Sequence, residues 1–138
     1  MVQIDDVEPP PPMRLYPLVD QVADKVAAMY ETHNNRPSGR FRDLVDLVII
    51  LTAEDFDTDL LVRALGAQEQ RRQMRLPAEV TRPGPAWDSG YAVAAARTTV
   101  PEPLRALTVA LDRVGEELNP ILAQLDALRG QLGEYPGI

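Results

Sequence analysis

The chain of 138 residues has no cysteine and a single histidine, His33. The first absence excludes a disulfide framework and a zinc–thiolate site. The second excludes a histidine-cluster metal site. Of 14 basic residues only one, Lys25, is lysine; the other thirteen are arginine. Long hydrophobic stretches are missing too. The run Leu47–Leu51 covers five residues, far short of the roughly 20 that span a bilayer. The start, MVQIDDVEPPPP, lacks the basic residues and apolar stretch of a secretory signal. These absences predict a cytoplasmic protein with no membrane segment. The net charge of −7 argues against nonspecific nucleic-acid binding, which needs many phosphate-neutralising cations. None of the motifs G-x-x-x-x-G-K-[ST], G-x-G-x-x-G or G-x-S-x-G occurs, so the common phosphate loops and the nucleophile elbow are absent.

The charge is uneven. Residues 1–35 carry six acids against two bases, whereas residues 36–82 carry eight of each. Arg36, Arg40 and Arg42 lie together, as do Arg71, Arg72 and Arg75. Each group is a solvated surface or a local anion site.

The hydrophobic pattern predicts a mainly α fold of five or six helices, with residues 1–12 as a disordered proline-rich lead and 13–138 as one helical domain. Residues 13–16, MRLY, alternate enough for one short strand. Pro17 then opens a helix to about Tyr30. Its apolar stripe is Leu18, Val22, Val26 and Met29, flanked by Ala23, Ala27 and Tyr30, with Ala28 off the centre. THNNRPSG is a loop by composition. A second helix starts near Ser38 or Gly39 and ends around Ala53, apolar on nearly every face and therefore central. Asp57 or Thr58 caps a third helix reaching about Arg72. Residues 74–88 are mostly loop. Asp88 or Ser89 caps a fourth helix to about Arg97. Pro101 and Pro103 open a fifth, with Leu104, Leu107, Leu111 and Val114 on one face, and Pro120 restarts or kinks it.

The second helix contains the oddest pattern. In RFRDLVDLVIIL, seven of the last eight residues are apolar and the exception is Asp46, with Asp43 three residues before it. The i, i+3 spacing puts both acids on one face. One reading has Asp43 complementing the helix N-terminus and Asp46 pairing with Arg42. The other has a carboxylate pair aimed at a cation or a substrate hydroxyl. Lys25, on the preceding helix, should lie level with Asp43 if the two helices pack antiparallel through their short loop. That juxtaposition is either a Lys–Asp salt bridge or an ammonium aimed at phosphates beside an acid. Physics alone leaves both open. His33 should face solvent, and Trp87 and Tyr91, four apart, should pack as a hydrophobic anchor.

The order and spacing of RLYPLVDQVADKVAAMYE and RPSGRFRDLVDLVIIL resemble the AbiEii/AbiGii-type toxin nucleotidyltransferases. In that family a short strand leads into a Y-P-x-x-D-x-x-A-D-K helix, followed by a loop and a K/R-D-L-x-D-L helix. The matching residues are Tyr16, Pro17, Asp20, Ala23, Asp24 and Lys25, then Arg42, Asp43, Leu44, Asp46 and Leu47. The resemblance covers residues 14–51 well and is looser beyond, where LDRVGEELNPIL is similar to the family's closing helix.

The resemblance implies the helical C-terminal half of an α+β nucleotidyltransferase. It implies catalytic roles for Lys25, holding nucleotide phosphates, and Asp43, positioning or deprotonating the acceptor. Asp46, Arg42 and Asp24 would be supporting. It also implies an NTP and Mg²⁺ as cofactors, an RNA such as tRNA as acceptor, and an antitoxin as partner. One part of the pattern is missing. The family's G-S followed by D-x-D, which holds the metal against the phosphates, does not occur: Asp57-x-Asp59 has no preceding glycine–serine turn. A truncated or split enzyme, inactive alone and binding neither Mg²⁺ nor NTP by itself, is therefore expected. The alternatives are a non-catalytic helical module that pairs with a separate catalytic chain or an antitoxin, and a remnant reading frame.

Overall fold

The computed structural model describes residues 18–133. Within them the chain forms five α-helices and one short 3₁₀ turn: α1 (Leu18–Tyr30), α2 (Phe41–Ala53), α3 (Thr58–Arg72), α4 (Trp87–Ala96), the turn Glu102–Arg105, and α5 (Leu107–Gly133). The fold is mainly α, as the periodicity predicts. The strand expected at 13–16 and the proline-rich lead lie outside the described residues. Among the described residues the one β-type pairing is an isolated bridge between His33 and Arg36.

α1 buries Val22, Ala23, Val26, Ala27 and Met29, the i, i+4, i+7 stripe that a 3.6-residue period dictates. Ala28, expected off the stripe, is buried as well. α1 packs on α2 and α3, and α2 also contacts α4 and α5. Leu44, Val45, Leu47, Val48 and Leu51 of α2 are buried, so this helix is central as expected. Its apolar surface is not wholly enclosed, since Ile49 remains 40% exposed.

The α1–α2 connection is tight. Asn34 and Asn35 both take positive φ, 55° and 65°, a conformation asparagine tolerates better than most residues. His33 and Arg36 exchange backbone hydrogen bonds of 3.1 and 3.0 Å around them. His33 is exposed, as expected. Ser38 Oγ then donates to the Met29 carbonyl at 2.7 Å, satisfying a backbone acceptor in the last turn of α1. The chain is thereby returned antiparallel to α1.

Three helix starts depart from the capping expectations. α2 begins at Phe41, beyond Ser38 and Gly39, with Arg40 as its uncapping flank residue. α4 begins at Trp87, with Ala86 before it, so neither Asp88 nor Ser89 caps it. Here burial sets the boundary. Trp87 is fully buried, its Nε1 donates to the Ser38 carbonyl at 2.8 Å, and its ring meets Phe41 edge-on, centroids 4.9 Å apart. Gly90 has no Cβ, and one built there would fall into the Phe41 ring. Pro101 and Pro103 lead into the 3₁₀ turn, and α5 starts only at Leu107. At α3 the expectation holds: Asp57 Oδ1 accepts from Leu60 N at 3.1 Å.

α5 runs through Pro120 without restarting. An interior proline costs about 3 kcal/mol. Burial of Val114, Leu118, Ile121, Leu122 and Leu125 on the face turned to the core offsets it, at roughly 1.5–3 kcal/mol per side chain. Tyr91 is fully buried as well. Its hydroxyl donates to the Leu104 carbonyl at 2.7 Å, and burial pushes its pKa up to about 12. Trp87 and Tyr91 thus form the anchor that their spacing suggests.

Candidate functional site

Lys25 projects from the middle of α1 towards the first two turns of α2. Its Nζ donates to Asp46 Oδ2 at 2.9 Å and lies 3.6 Å from Asp43 Oδ1. The antiparallel packing therefore brings Lys25, Asp43 and Asp46 together, level across the helix pair. The expected local pair of Asp46 with Arg42 does not form. Arg42 points to solvent, and a lysine from the neighbouring helix reaches Asp46 instead. Two residues on α2 that face the same way cannot both meet Lys25 unless α1 crosses between them, which only the helix packing decides.

The two acids are not equivalent. Asp43 is buried, its side chain 9% exposed, whereas that of Asp46 is 33% exposed. Asp43 stands in the first turn of α2, where the helix dipole favours its negative charge. Arg40 Nε sits 2.9 Å from Asp43 Oδ2, yet Oδ2 accepts no hydrogen bond. The contact is close in distance but off-axis, so it is a charge contact in which one carboxylate oxygen keeps an unused acceptor. Sequence reasoning missed this role of Arg40. Its signal was the spacing of three between Arg40 and Asp43 across the start of the helix.

Burial works against the Lys25 ammonium. The hydrogen bond to Asp46 and the charges of Asp46 and Asp43 outweigh it, and the pKa is raised above 10.5. The stabilisation that follows is present in full below the unfolded value of 10.5 and is lost as pH rises through the folded value. At neutral pH Lys25 is a cation held between two carboxylates.

Asp24, the remaining supporting candidate, belongs to a different cluster. Its Oδ1 receives Arg72 Nη2 at 2.7 Å. The same guanidinium reaches Glu31 Oε1 at 2.6 Å and Gln68 Oε1 at 2.8 Å. This network ties α1 to the end of α3 and does not touch Lys25. A second cluster, also unforeseen, joins Glu69 of α3 to Arg129 of α5 at 2.5 Å. No signal in the sequence links residues sixty positions apart.

The donor set does not suit Mg²⁺ by itself. A magnesium ion seeks six oxygens, and here two carboxylates already share an ammonium. Among the described residues no group of three or more His, Cys, Asp or Glu could hold a metal ion.

Asp46→Leu is expected to change stability by less than about 1 kcal/mol, because the pair it breaks is half-exposed and Lys25 keeps Asp43. Urea unfolding followed by circular dichroism measures it. A loss above about 3 kcal/mol would instead mark Asp46 as a buried structural partner.

The family model described as "Nucleotidyl transferase AbiEii toxin, Type IV TA system" matches residues 2–123, and the chain belongs to this family. No curated protein and no solved structure matches it. The family's description places it in toxin–antitoxin systems, which pair a toxin with an antitoxin. Among the described residues no helix is long and apolar enough to cross a membrane.

Proposed function

We propose that this chain supplies the helical wall of a nucleotidyltransferase site, with Lys25 for the phosphates of an NTP and Asp43 for the acceptor. The observation that carries the reading is Lys25 bridging Asp46 and Asp43 across α1 and α2. Lys25 exchanges its bond to half-exposed Asp46 for a phosphate oxygen at little cost. Asp43, whose Oδ2 is buried against Arg40 and accepts no hydrogen bond, takes the proton of an acceptor hydroxyl once exposed Arg40 swings aside. That oxygen bonds to the α-phosphorus, the bond to the bridging oxygen breaks, and pyrophosphate leaves. The acceptor class is RNA, tRNA among its members. The metal chemistry belongs to a G-S…D-x-D element that these 138 residues do not contain, whether another stretch of polypeptide or another chain provides it. In this reading the domain is one half of a divided active site.

The test is nucleotide transfer. Incubated with labelled NTPs, Mg²⁺ and total tRNA, the 138-residue chain is expected to leave the RNA unlabelled. Adding a polypeptide that carries the missing element should give labelling, and Lys25→Ala or Asp43→Asn should lower it by roughly a hundred-fold or more, the scale of one lost general base or charge stabiliser. Clear labelling by the chain alone, abolished in Lys25→Ala, would show that no second half is needed.

A second reading is a non-catalytic helical module that pairs with a separate catalytic chain or an antitoxin. It is favoured by an open groove of about 740 Å³ between α3 and α5, floored by Val62, Gly66, Met74, Leu125 and Leu128. Apolar grooves of this size suit a partner's side chains. Under this reading Lys25→Ala leaves complemented labelling unchanged.

A further inference from the structure

A cleft of about 380 Å³ opens where the α1–α2 turn meets the start of α2, lined among others by Ala28, Glu31, His33, Arg36, Ser38 and Arg40. Ala28 stands three residues after Lys25 on α1, so the cleft lies about one helical turn from the Lys25 site. Arg40 belongs to both: it forms part of the cleft wall and makes the contact to Asp43 Oδ2. Arg36 is exposed and has no ion-pair partner among the described residues. The one acid in the wall, Glu31, is neutralised by Arg72 at 2.6 Å. Arg36 is therefore an unpaired cation in the cleft wall on a chain whose net charge is −7, beside Arg40, whose charge is shared with Asp43. Nothing in the fold requires this: neither Arg36 nor Arg40 fills the core. Two guanidinium groups facing a polar hollow are suited to a phosphate, whose oxygens they can meet in paired hydrogen bonds.

We propose that this cleft is a phosphate-binding subsite adjoining the Lys25–Asp43 site through Arg40, with Arg36 and Arg40 as its ligands. The inference rests on the nucleotidyltransferase reading for its place in a reaction, and on the cleft itself for its chemistry. The phosphate comes either from the polyphosphate of the nucleotide or from the backbone of the RNA acceptor.

The chain carries its own probe. Its only tryptophan, Trp87, donates to the carbonyl of Ser38, a cleft residue. Trp87 fluorescence is titrated with inorganic tripolyphosphate in one arm and with a single-stranded oligouridylate lacking a terminal phosphate in the other. Saturable binding of either is expected, weakened roughly ten-fold or more in Arg36→Glu and less in Arg36→Lys. Tripolyphosphate alone assigns the subsite to the nucleotide, and oligouridylate alone to the RNA backbone. Arg36 is exposed and outside the core, so circular dichroism should show the variants folded. Absence of binding in both arms, or an affinity unchanged in Arg36→Glu, overturns the subsite. Lys25→Ala separates it from the parent reading. Binding lost in Lys25→Ala but intact in Arg36→Glu sinks the cleft and leaves Lys25 as the phosphate ligand. Binding lost in Arg36→Glu but intact in Lys25→Ala sustains the cleft and removes the phosphate role from Lys25.

Discussion

Glu69→Ala is expected to lower the unfolding free energy by roughly 3–5 kcal/mol, the cost of stripping one partner from a buried ion pair. Glu69 is 8% exposed. Its Oε2 accepts from Arg129 Nη1 at 2.5 Å and from Leu76 N at 2.7 Å. Arg129 Nη2 reaches back to the Leu76 carbonyl at 3.3 Å, so one carboxylate and one guanidinium clamp the chain just after α3 onto α5. Removing the acid leaves an arginine whose Nε already lacks a partner, along with an orphaned backbone N–H. Both then sit where water reaches poorly, and each uncompensated group adds to the loss. Asp126, 2.8 Å from Arg129, is half-exposed and compensates little. Chemical unfolding followed by far-ultraviolet circular dichroism gives the value. The double variant Glu69→Met with Arg129→Met should recover most of it, because paired removal leaves no buried charge. A single-variant loss below about 1 kcal/mol would show that Arg129 finds water or Asp126 without strain.

Trp87→Ala is expected to cost about 3–5 kcal/mol, the range for deleting a large aromatic from a packed core. Trp87 is fully buried. It holds the segment before α2 in two ways, through its hydrogen bond to the Ser38 carbonyl and its edge-on contact with Phe41. Alanine opens a cavity and leaves the Ser38 carbonyl without its donor. Trp87→Phe keeps most of the packing and loses only the hydrogen bond, so about 1–2 kcal/mol is expected. The pair of variants separates the packing contribution from the bond. Equal losses in both would place the whole effect on the bond and contradict the cavity argument. The consequence reaches the site: Ser38 leads through Gly39 to Arg40, which touches Asp43, so the Trp87→Ala variant should also alter phosphate binding at the cleft.

Much of this was legible in the chain. The helices α1, α2 and α3 follow from apolar spacing and from Asp57, whose capping side chain is a local matter of three residues. Lys25 level with Asp43 follows from a short loop between two helices. Where reasoning failed, the reason was non-local. Asp88 and Ser89 are good capping residues, but at the start of α4 a buried tryptophan bonded to Ser38 outweighs a cap worth about 1 kcal/mol. Pro120, expected to restart or kink α5, does not restart it, because five buried side chains hold the helix through the proline. The family resemblance groups Asp24 with Lys25 as a supporting residue of one site. Adjacent helical residues point about 100° apart, so Asp24 meets Arg72 of α3 while Lys25 meets α2.

The sequence by itself determined the helical class, the family and the presence of one lysine and two acids on neighbouring helices. These rest on local periodicity and on the order of residues along the chain. Only the tertiary structure decided which acid is buried, that Arg40 and not Arg42 joins the site, and that Asp46 bonds to Lys25. Those outcomes depend on how α1 lies across α2, set by the shared core to which Val22, Val26 and Met29 of one and Leu44, Leu47 and Val48 of the other belong. A charged group has no preferred partner until the apolar side chains around it have fixed the distances.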